Sequence, residues 1–376
     1  MTKIQMVDLL SQYENIKEEV NAGIQEVIDN TAFINGPQVK LFAKELAEYN
    51  QVSHVIPCAN GTDALQIAMM ALDFKPGDEV IVPTFTYVAT VEVIALLGLK
   101  PVFIDVTPDT YELEVDQLVN CLSSKTVGIV PVHLYGQCSN MEAILTFAKQ
   151  HNLKVIEDTA QAIGADYTFS DGRVAKAGTM GDVGTTSFFP SKNLGCFGDG
   201  GAIFTNNADL AAKLQMIANH GQQKKYYHDS IGVNSRLDTL QAAILRVKLK
   251  HLSEYSKARN EVADKYDEAF LGHAQIQTPV RVKNSSHVFH QYTVQINNGK
   301  RDELKAFLQD KGVPSMVYYP VPLHLQKAYQ EFGYKQNDFP VAEDLCTRVL
   351  SLPIHTEMKA EDQDYIIKTI KEFFNG

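Results

Sequence analysis

Short apolar segments alternate with helical periodicity along most of this chain, and that alternation constrains the fold more than any other feature. The segments that start near His54, Glu79 and Pro101 are strand-like, and each is followed by a stretch with helical spacing of apolar residues. The alternation continues to an apolar run that ends near Asp158. Largely apolar strands that alternate with helices predict an α/β fold with a mostly parallel central sheet covered on both faces.

The pattern changes in the last third of the chain. A strand at 288–296, a helix at 300–311 and a short strand at 315–319, followed by helices near 339–350 and 361–374, predict a smaller C-terminal α+β domain. We therefore expect a large domain over residues 1–250, which includes the N-terminal helices, and a smaller domain over residues 251–376. A chain of 376 residues can bury a sizeable core without disulfides.

Composition excludes several classes of protein. The formal net charge of -11 argues against a nucleic-acid or anionic-membrane partner. The five cysteines are an odd number, widely spaced and without a C-x-x-C motif, so we expect neither a disulfide framework nor a metal site. This cysteine usage fits a reducing compartment. The N-terminus has no signal-peptide pattern, and no segment approaches the roughly 20 apolar residues of a membrane span. We expect a soluble cytoplasmic protein without membrane partners.

One lysine lies in unusually apolar surroundings. Lys192 follows Phe188, Phe189 and Pro190 and precedes Leu194, just before a glycine-rich turn. Desolvation disfavours the ammonium form, and a neutral amine is the form that attacks a carbonyl to make a Schiff base. The alternative is a lysine at the edge of the core whose stem is buried and which has no chemical role.

A strand-end carboxylate favours the chemical interpretation. Asp158 lies 34 positions before Lys192, at the end of an apolar run. A pyridoxal phosphate site requires these two protein groups, since the lysine binds the aldehyde and the carboxylate keeps the pyridine nitrogen protonated.

Other polar or aromatic residues also follow predicted strands. Gly61 and Thr62 follow a strand and begin a helix, which is typical of a phosphate site, although Thr62 could equally be a plain helix cap. Tyr87 follows another strand, where an aromatic ring can stack on a flat heterocycle. Ligands of open α/β sheets bind at the carboxyl ends of the strands, so this edge is the predicted site.

Taken together, the motifs resemble those of the DegT/DnrJ/EryC1/StrS family of pyridoxal-phosphate-dependent nucleotide-sugar aminotransferases. The similar segments cover nearly the whole chain and occur in the same order: Asn60–Leu65, Pro83–Thr90, His133–Gln137, Glu157–Ala162, Ser187–Gly195, Gly198–Ala202, His220–Gln222 and Gly232–Asp238. The resemblance implies the aspartate-aminotransferase-like fold (fold type I) and a homodimer with active sites at the subunit boundary.

The resemblance also implies a role for individual residues. Lys192 matches the Schiff-base lysine, and Asp158 matches the partner of the pyridinium nitrogen. The other implied contacts to the cofactor, pyridoxal 5'-phosphate, are the ring-stacking Tyr87, Gln161 near the phenolic oxygen, the phosphate ligands Gly61, Thr62 and Ser187, and Asn234 from the other subunit. The residues implied at the sugar nucleotide are Arg236, Tyr319 and His324.

Within the family, the segments 58–67, 187–196 and 232–245 are similar to the branch that aminates the 3-oxo group of UDP-N-acetyl-glucosaminuronate derivatives. Arg236 would suit a sugar carboxylate there, because a guanidinium pairs with it in a bidentate way. Tyr318 stands where that branch has histidine, so enzymes that act on dTDP-3-oxo or 4-oxo-6-deoxyhexoses are the alternative. The expected amino donor is glutamate, which leaves as 2-oxoglutarate.

Two further readings belong to other classes. A pyridoxamine-dependent sugar dehydratase carries histidine in place of the lysine, so Lys192 argues against it. A non-catalytic regulator that binds a sugar nucleotide on the same fold is the non-enzyme alternative, and the joint presence of Lys192, Asp158 and Gln161 argues against it.

Overall fold

The computed structural model describes residues 4–375. Within that range the α-helices are α1 (Leu9–Asp29), α2 (Pro37–Asn50), α3 (Gly61–Ala71), α4 (Ala89–Leu96), α5 (Met141–His151), α6 (Ala208–Ala218), α7 (Thr239–Leu249), α8 (Leu252–Phe270), α9 (Arg301–Asp310), α10 (Pro340–Arg348) and α11 (Ala360–Asn375). The strands are β1 (His54–Cys58), β2 (Glu79–Pro83), β3 (Lys100–Ile104), β4 (Thr126–Ile129), β5 (Lys154–Asp158), β6 (Asp166–Thr168), β7 (Val174–Lys176), β8 (Val183–Ser187), β9 (Gly201–Thr205), β10 (Gln222–Lys224), β11 (Tyr227–His228), β12 (Ile276–Gln277), β13 (Tyr292–Ile296) and β14 (Val349–Leu352).

A seven-stranded sheet forms the centre of the protein, with strand order β1-β9-β8-β5-β4-β2-β3. Neighbouring strands from β8 to β3 are parallel, whereas β9 runs antiparallel to both β1 and β8. The mostly parallel sheet predicted from the strand–helix alternation is confirmed.

Helices cover both faces of this sheet. Along β2, Val80 and Val82 pack in one apolar cluster with residues of α3 and α4, while Ile81 between them packs in another cluster with α5. Because successive side chains of a strand point to opposite faces, a strand covered on both sides is mostly apolar. This explains the apolar run of β2 from Val80 to Val82.

A second, three-stranded sheet lies in the C-terminal part of the chain. Its strands β12, β13 and β14 are all antiparallel, and they share an apolar core with α8, α9 and α11. The prediction of a strand at 315–319 is wrong, since the only pairing of this segment among the described residues is a single bridge between Met316 and Ser351. β14 was not predicted; the helix expected over 339–350 ends at Arg348, and the strand follows at once.

Each of the two apolar cores contains residues from the other part of the chain. Leu323, Phe339 and Leu345 pack in the core of the large sheet although they follow residue 250, and Ile4 packs in the core of the small sheet. The division at residue 250 remains a prediction. No helix among residues 4–375 combines the length and the apolar character needed to cross a membrane.

Candidate active site

A cavity of about 600 Å³ opens at the carboxyl edge of the parallel strands. Its volume is in the range of sites that bind cofactors and other small molecules. Most of the site residues expected from the sequence line this one cavity: Gly61, Thr62, Tyr87, Asp158, Gln161, Ser187, Lys192 and Tyr319. Strand ends that are far apart in the sequence therefore meet here, as the sequence predicted.

Lys192 lies in the wall of the cavity and is partly buried there. The turn that carries it is closed by the N–H of Lys192, which donates to the carbonyl of Phe189 at 2.8 Å. Burial lowers the pKa of Lys192 to about 8, and the negative charge of Asp158 offsets part of that effect. With such a pKa about one amine in ten is neutral at pH 7, compared with fewer than one in a thousand for a free lysine. The site thus provides a nucleophilic amine near neutral pH.

Two hydrogen bonds orient the carboxylate of Asp158, which is only 6% exposed. The hydroxyl of Thr90 donates to Oδ2 at 2.7 Å, and the N–H of Ala160 donates to Oδ1 at 3.1 Å. Thr90 lies in the first turn of α4 and Ala160 just beyond β5. Separate elements of the fold therefore determine the direction of this charge.

The start of α3 forms an anion site beside the Lys192 turn. The side chain of Asn60 caps the helix by accepting from the N–H of Asp63 at 2.8 Å, and helix geometry leaves the N–H groups of Gly61 and Thr62 without intrahelical acceptors. A Cβ atom at Gly61 would lie 2.8 Å from Cβ of Ser187, so only glycine allows the helix start to approach this serine so closely. Free N–H groups and a hydroxyl suit a phosphate.

Aromatic rings form one wall of the cavity. Tyr87 is 55% exposed, and its ring centre lies 6.2 Å from that of Tyr319. Gln161 connects this wall to the sheet, because its amide oxygen accepts from the N–H of Tyr135 at 2.8 Å and its amide nitrogen donates to the hydroxyl of Tyr319 at 3.1 Å. Gln161 and Tyr319, which are 158 residues apart, are thus one structural unit.

Sequence reasoning missed two polar residues of the cavity, Thr86 and His290. The hydroxyl of Thr86 and Nδ1 of His290 are buried and have no hydrogen-bond partner among the described residues. Burial, and then the positive charges of Lys192 and Arg259, hold the pKa of His290 well below its usual value, so its imidazole is neutral. Buried polar atoms without partners are costly, and in a cavity wall a polar ligand can supply the missing bonds. Thr86 lies in the family-like segment Pro83–Thr90 but was given no role there, and no pattern in the sequence marks His290.

Asn234 and Arg236 lie outside this cavity. Asn234 is exposed, and its main chain forms a bridge to Asn219. Between them Ser235 is buried, and its hydroxyl accepts from the N–H of Ala59, next to the start of α3. Within one subunit, then, neither residue contacts the site, which is compatible with the expected contribution to a partner's site.

His324 does not line the cavity either, and its expected role beside the sugar nucleotide remains a prediction. It is 1% exposed, Nδ1 lies 2.8 Å from the hydroxyl of Thr84, and Nε2 lies 3.1 Å from the carboxylate of Glu343. Both ring nitrogens are occupied within the protein. In this structure His324 holds Thr84, at the start of the segment that carries Tyr87 and Thr90.

The arrangement of a buried amine, a fixed carboxylate and an anion site at the edge of a parallel sheet defines an aminotransferase of the aspartate-aminotransferase fold. The model of the DegT/DnrJ/EryC1/StrS aminotransferase family matches residues 14–371, and the chain belongs to this family.

Relatives of known name are similar over almost their whole length. The chain is 46% identical to the UDP-2-acetamido-2-deoxy-3-oxo-D-glucuronate aminotransferase of Pseudomonas aeruginosa, over 94% of this chain and 95% of that protein. It is also 46% identical to a protein of Geobacillus stearothermophilus named a pleiotropic regulatory protein, over 99% of this chain and 98% of the relative. Among solved structures, NtdA of Bacillus subtilis with bound cofactor PMP superposes with a TM-score of 0.89 and 32% identity, over 96% of this chain and 82% of that chain.

Proposed function

We propose that this chain transfers an amino group from glutamate to the keto group of a nucleotide-linked 3-oxo sugar, with pyridoxal 5'-phosphate as cofactor. The sugar nucleotide that fits best is UDP-2-acetamido-2-deoxy-3-oxo-glucuronate or a close analogue. The observation that carries the proposal is that Lys192 and Asp158 line one cavity, in a chain 46% identical to a transaminase for that sugar.

The residues of the cavity fit the proposed cofactor. The N–H groups of Gly61 and Thr62 and the hydroxyl of Ser187 would hold its phosphate, and the ring of Tyr87 would cover one face of its heterocycle. Asp158 would pair with the pyridine nitrogen, and Gln161 with the phenolic oxygen. The unpaired hydroxyl of the cavity-lining residue Thr86 is further evidence that a polar ligand belongs here.

The bound cofactor supplies an electron sink for the electron pair left when the donor's α-carbon loses its proton. The chain's own groups do the rest. Lys192, whose pKa is lowered to about 8 by burial, takes the proton from one carbon and returns it to another as a general base and then a general acid. Asp158 maintains the positive charge on the pyridine nitrogen, and the aromatic wall limits access of water.

The sugar nucleotide enters past Tyr318 and Tyr319, which line the cavity from the C-terminal part of the chain. Arg236 lies outside the cavity of its own subunit, so we propose that it reaches the sugar carboxylate of the partner's site. A bidentate pair between a guanidinium and that carboxylate would select glucuronate over neutral sugars. If the sugar is instead a dTDP-linked deoxyhexose, Arg236 has no carboxylate to bind.

Direct assay separates these substrates. Purified protein with glutamate is incubated with a panel of UDP- and dTDP-linked 3-oxo and 4-oxo sugars, and amino sugars are detected by mass spectrometry. Amination of the UDP-3-oxo-glucuronate alone, with a loss of at least tenfold in the Arg236→Gln variant, supports the proposal. Faster amination of a dTDP-deoxyhexose would replace it with the alternative substrate class.

We propose further that the protein is a cytoplasmic homodimer in which Asn234 contacts the cofactor phosphate of the partner. This contact would link cofactor affinity to association, because a ligand that binds only the dimer stabilises it. The test mixes two inactive variants, Lys192→Ala and an Asn234 variant chosen for its lack of activity. After subunit exchange, one site in each heterodimer has both native residues and should recover activity. If exchange is demonstrated and activity does not return, Asn234 acts within its own subunit.

The second candidate function is a regulatory one, because the Geobacillus relative is named a pleiotropic regulatory protein. A regulator that only binds ligand has no need of an amine with a pKa near 8 opposite a fixed carboxylate. A visible absorption band of the purified protein that glutamate bleaches would identify a transaminase. A stable band, together with sugar-nucleotide binding and no turnover, would identify a binder.

A further inference from the structure

Thr90 is the only side chain, among the described residues, whose hydrogen bond to the carboxylate of Asp158 is resolved. The distance from its hydroxyl to Oδ2 is 2.7 Å, typical of a hydroxyl that donates to an ionised acceptor. Both residues are buried, with Thr90 fully inaccessible. The hydroxyl of Thr90 is therefore a donor to Asp158 in a place that bulk water does not reach.

Thr90 does not itself belong to the wall of the cavity. Its neighbours Tyr87 and Ala89 line the cavity, but Thr90 lies behind Asp158. Any effect of Thr90 on a ligand therefore passes through the carboxylate. This separates a positioning role from direct contact with cofactor or substrate.

A carboxylate rotates readily about its terminal torsion, which has a broad, two-fold energy profile. The N–H of Ala160 restrains one oxygen of Asp158 from its own strand end, and Thr90 restrains the other from α4. A single bond would leave the plane of the carboxylate free to turn. Two bonds from different elements fix that plane relative to the sheet.

We propose that Thr90 is a positioning residue that sets the orientation of Asp158 toward the pyridine nitrogen of the cofactor. The inference rests on the proposed function, because it concerns the same site. The segment 84–90 then has two tasks, since it also carries Tyr87, whose ring would cover the cofactor face. Loss of the Thr90 hydroxyl weakens both cofactor binding and the proton transfer that depends on the charged nitrogen.

The test compares Thr90→Val, which removes the hydroxyl at nearly constant shape, with Thr90→Ser, which keeps it. Thr369→Val is the matched control, because Thr369 is also buried and its hydroxyl donates to the carbonyl of Tyr365 within α11 at 2.7 Å. The measurements are the dissociation constant of pyridoxal phosphate by absorbance titration, the rate of the half-reaction with glutamate, and the melting temperature of the cofactor-free chain.

We expect Thr90→Val to bind the cofactor about ten- to a hundredfold more weakly, the effect of one hydrogen bond to a charged group. The half-reaction should slow at saturating cofactor, while Thr90→Ser stays within about threefold of the native protein. Thr369→Val should bind as the native protein does. The two valine variants should have similar melting temperatures without cofactor.

Several results overturn the inference. Native affinity and rate in Thr90→Val, or equal losses in Thr90→Val and Thr90→Ser, would show that the hydroxyl does not position Asp158. If Thr90→Val does not fold, a double-mutant cycle of Thr90→Ala and Asp158→Asn decides, because the effect of Thr90→Ala must shrink when the carboxylate is absent. Additive effects reject the inference. A native protein that binds no pyridoxal phosphate would instead refute the proposed function, and the inference with it.

Discussion

Two buried lysines of this chain have nearly the same acidity but different surroundings. Burial lowers the pKa of both Lys192 and Lys248 to about 8. Lys192 lines a cavity and faces the charge of Asp158. Lys248 lies on α7 with its amine 5.0 Å from the ring centre of Phe197, and it faces neither the cavity nor a paired carboxylate among the described residues.

The difference shows that a lowered pKa by itself reports burial and not chemistry. A catalytic amine also needs space for a reactant and a charge that acts in the reaction, and only Lys192 has both. The amine of Lys248 instead lies over an aromatic ring, which compensates in part for its lost hydration. The following predictions test this division between buried basic groups that act on a ligand and those that serve the fold.

The largest effect is expected for Lys192. Borohydride reduction of the cofactor-loaded protein, followed by peptide mapping, should place the pyridoxyl label on Lys192. Lys192→Ala should lose the label and at least about a thousandfold in turnover, because it lacks both the attachment point and the proton carrier. Lys248→Met should keep label and turnover. A pyridoxyl label on Lys248 would mean that Lys248, and not Lys192, binds the cofactor.

Asp158→Asn should lower turnover by about a thousandfold, the usual loss when one preorganised charge is removed from an active site. An amide of the same shape cannot stabilise the protonated nitrogen. Circular dichroism and the melting temperature of the cofactor-free variant should remain close to native values, which controls for misfolding. Native turnover in this variant would exclude the proposed role of Asp158.

Two buried histidines outside the cavity should make stability depend on pH. Burial lowers the pKa of His287 to about 3 and that of His355 to about 4, and nearby arginine charge adds to both effects. The unfolded chain, with histidine pKa values near 6.5, then binds protons first as the pH falls. Stability is complete above about pH 6.5, and at pH 5 each histidine should have removed about 2 kcal/mol.

Urea unfolding at pH 7 and pH 5 measures this effect. His287→Gln and His355→Gln should each reduce the difference between the two pH values, whereas His151→Gln, at an exposed position, should not. Equal pH dependence in all three variants would assign the acid sensitivity to other groups.

Lys248 should show a pH dependence of the same sign, but in the alkaline range. Its pKa in the folded chain, about 8, is below the unfolded value of 10.5, so stability should rise as the pH increases from 8 to 10.5. Lys248→Met removes the cost of burying the ammonium and should stabilise the protein at pH 7 by about 3 kcal/mol. The variant should also lose the alkaline rise. A destabilised variant would mean that the contact with Phe197 outweighs the burial cost.

The smallest effect is expected for His324. Its bonds to Thr84 and Glu343 predict that His324→Gln lowers stability by about 1 kcal/mol, with less than a threefold change in KM for the sugar nucleotide. Thermal unfolding and steady-state kinetics measure the two quantities. A large rise in KM at native stability would restore the role in substrate binding that the family resemblance implied.

The parts of the fold that the sequence predicted are those with a local signal. Apolar strands bounded by glycine and proline indicated the central sheet, and the polar residues after β5 and β8 indicated its functional edge. β14 was missed because it follows α10 without a turn and is defined by pairing with β13, more than fifty residues away. The pairing partner, not the local sequence, makes that segment a strand.

The site divides in the same way. Lys192 and Asp158 have local patterns. Thr90 lies in the family-like segment Pro83–Thr90, but its bond to Asp158 and the surroundings of His290 depend on contacts across the fold. His324 was expected beside the sugar nucleotide, and its bonds to Thr84, 240 residues away, and to Glu343 place it outside the cavity of its own subunit. Sequence patterns thus identify the groups that do chemistry better than those that orient them.

The bonds of His324 also link the aromatic wall to the C-terminal part of the chain. The aromatic wall needs Tyr319, and the segment that carries Tyr87 is held through His324 by Glu343, near the end of the chain. Ile354 also donates its N–H to the carbonyl of Met6, so the N-terminal segment likewise contacts the C-terminal part of the chain. The position of Tyr87 in the aromatic wall thus depends on a contact with a much later part of the chain. A substitution at Glu343, which does not line the cavity, should therefore act on ligand binding through His324 and Thr84.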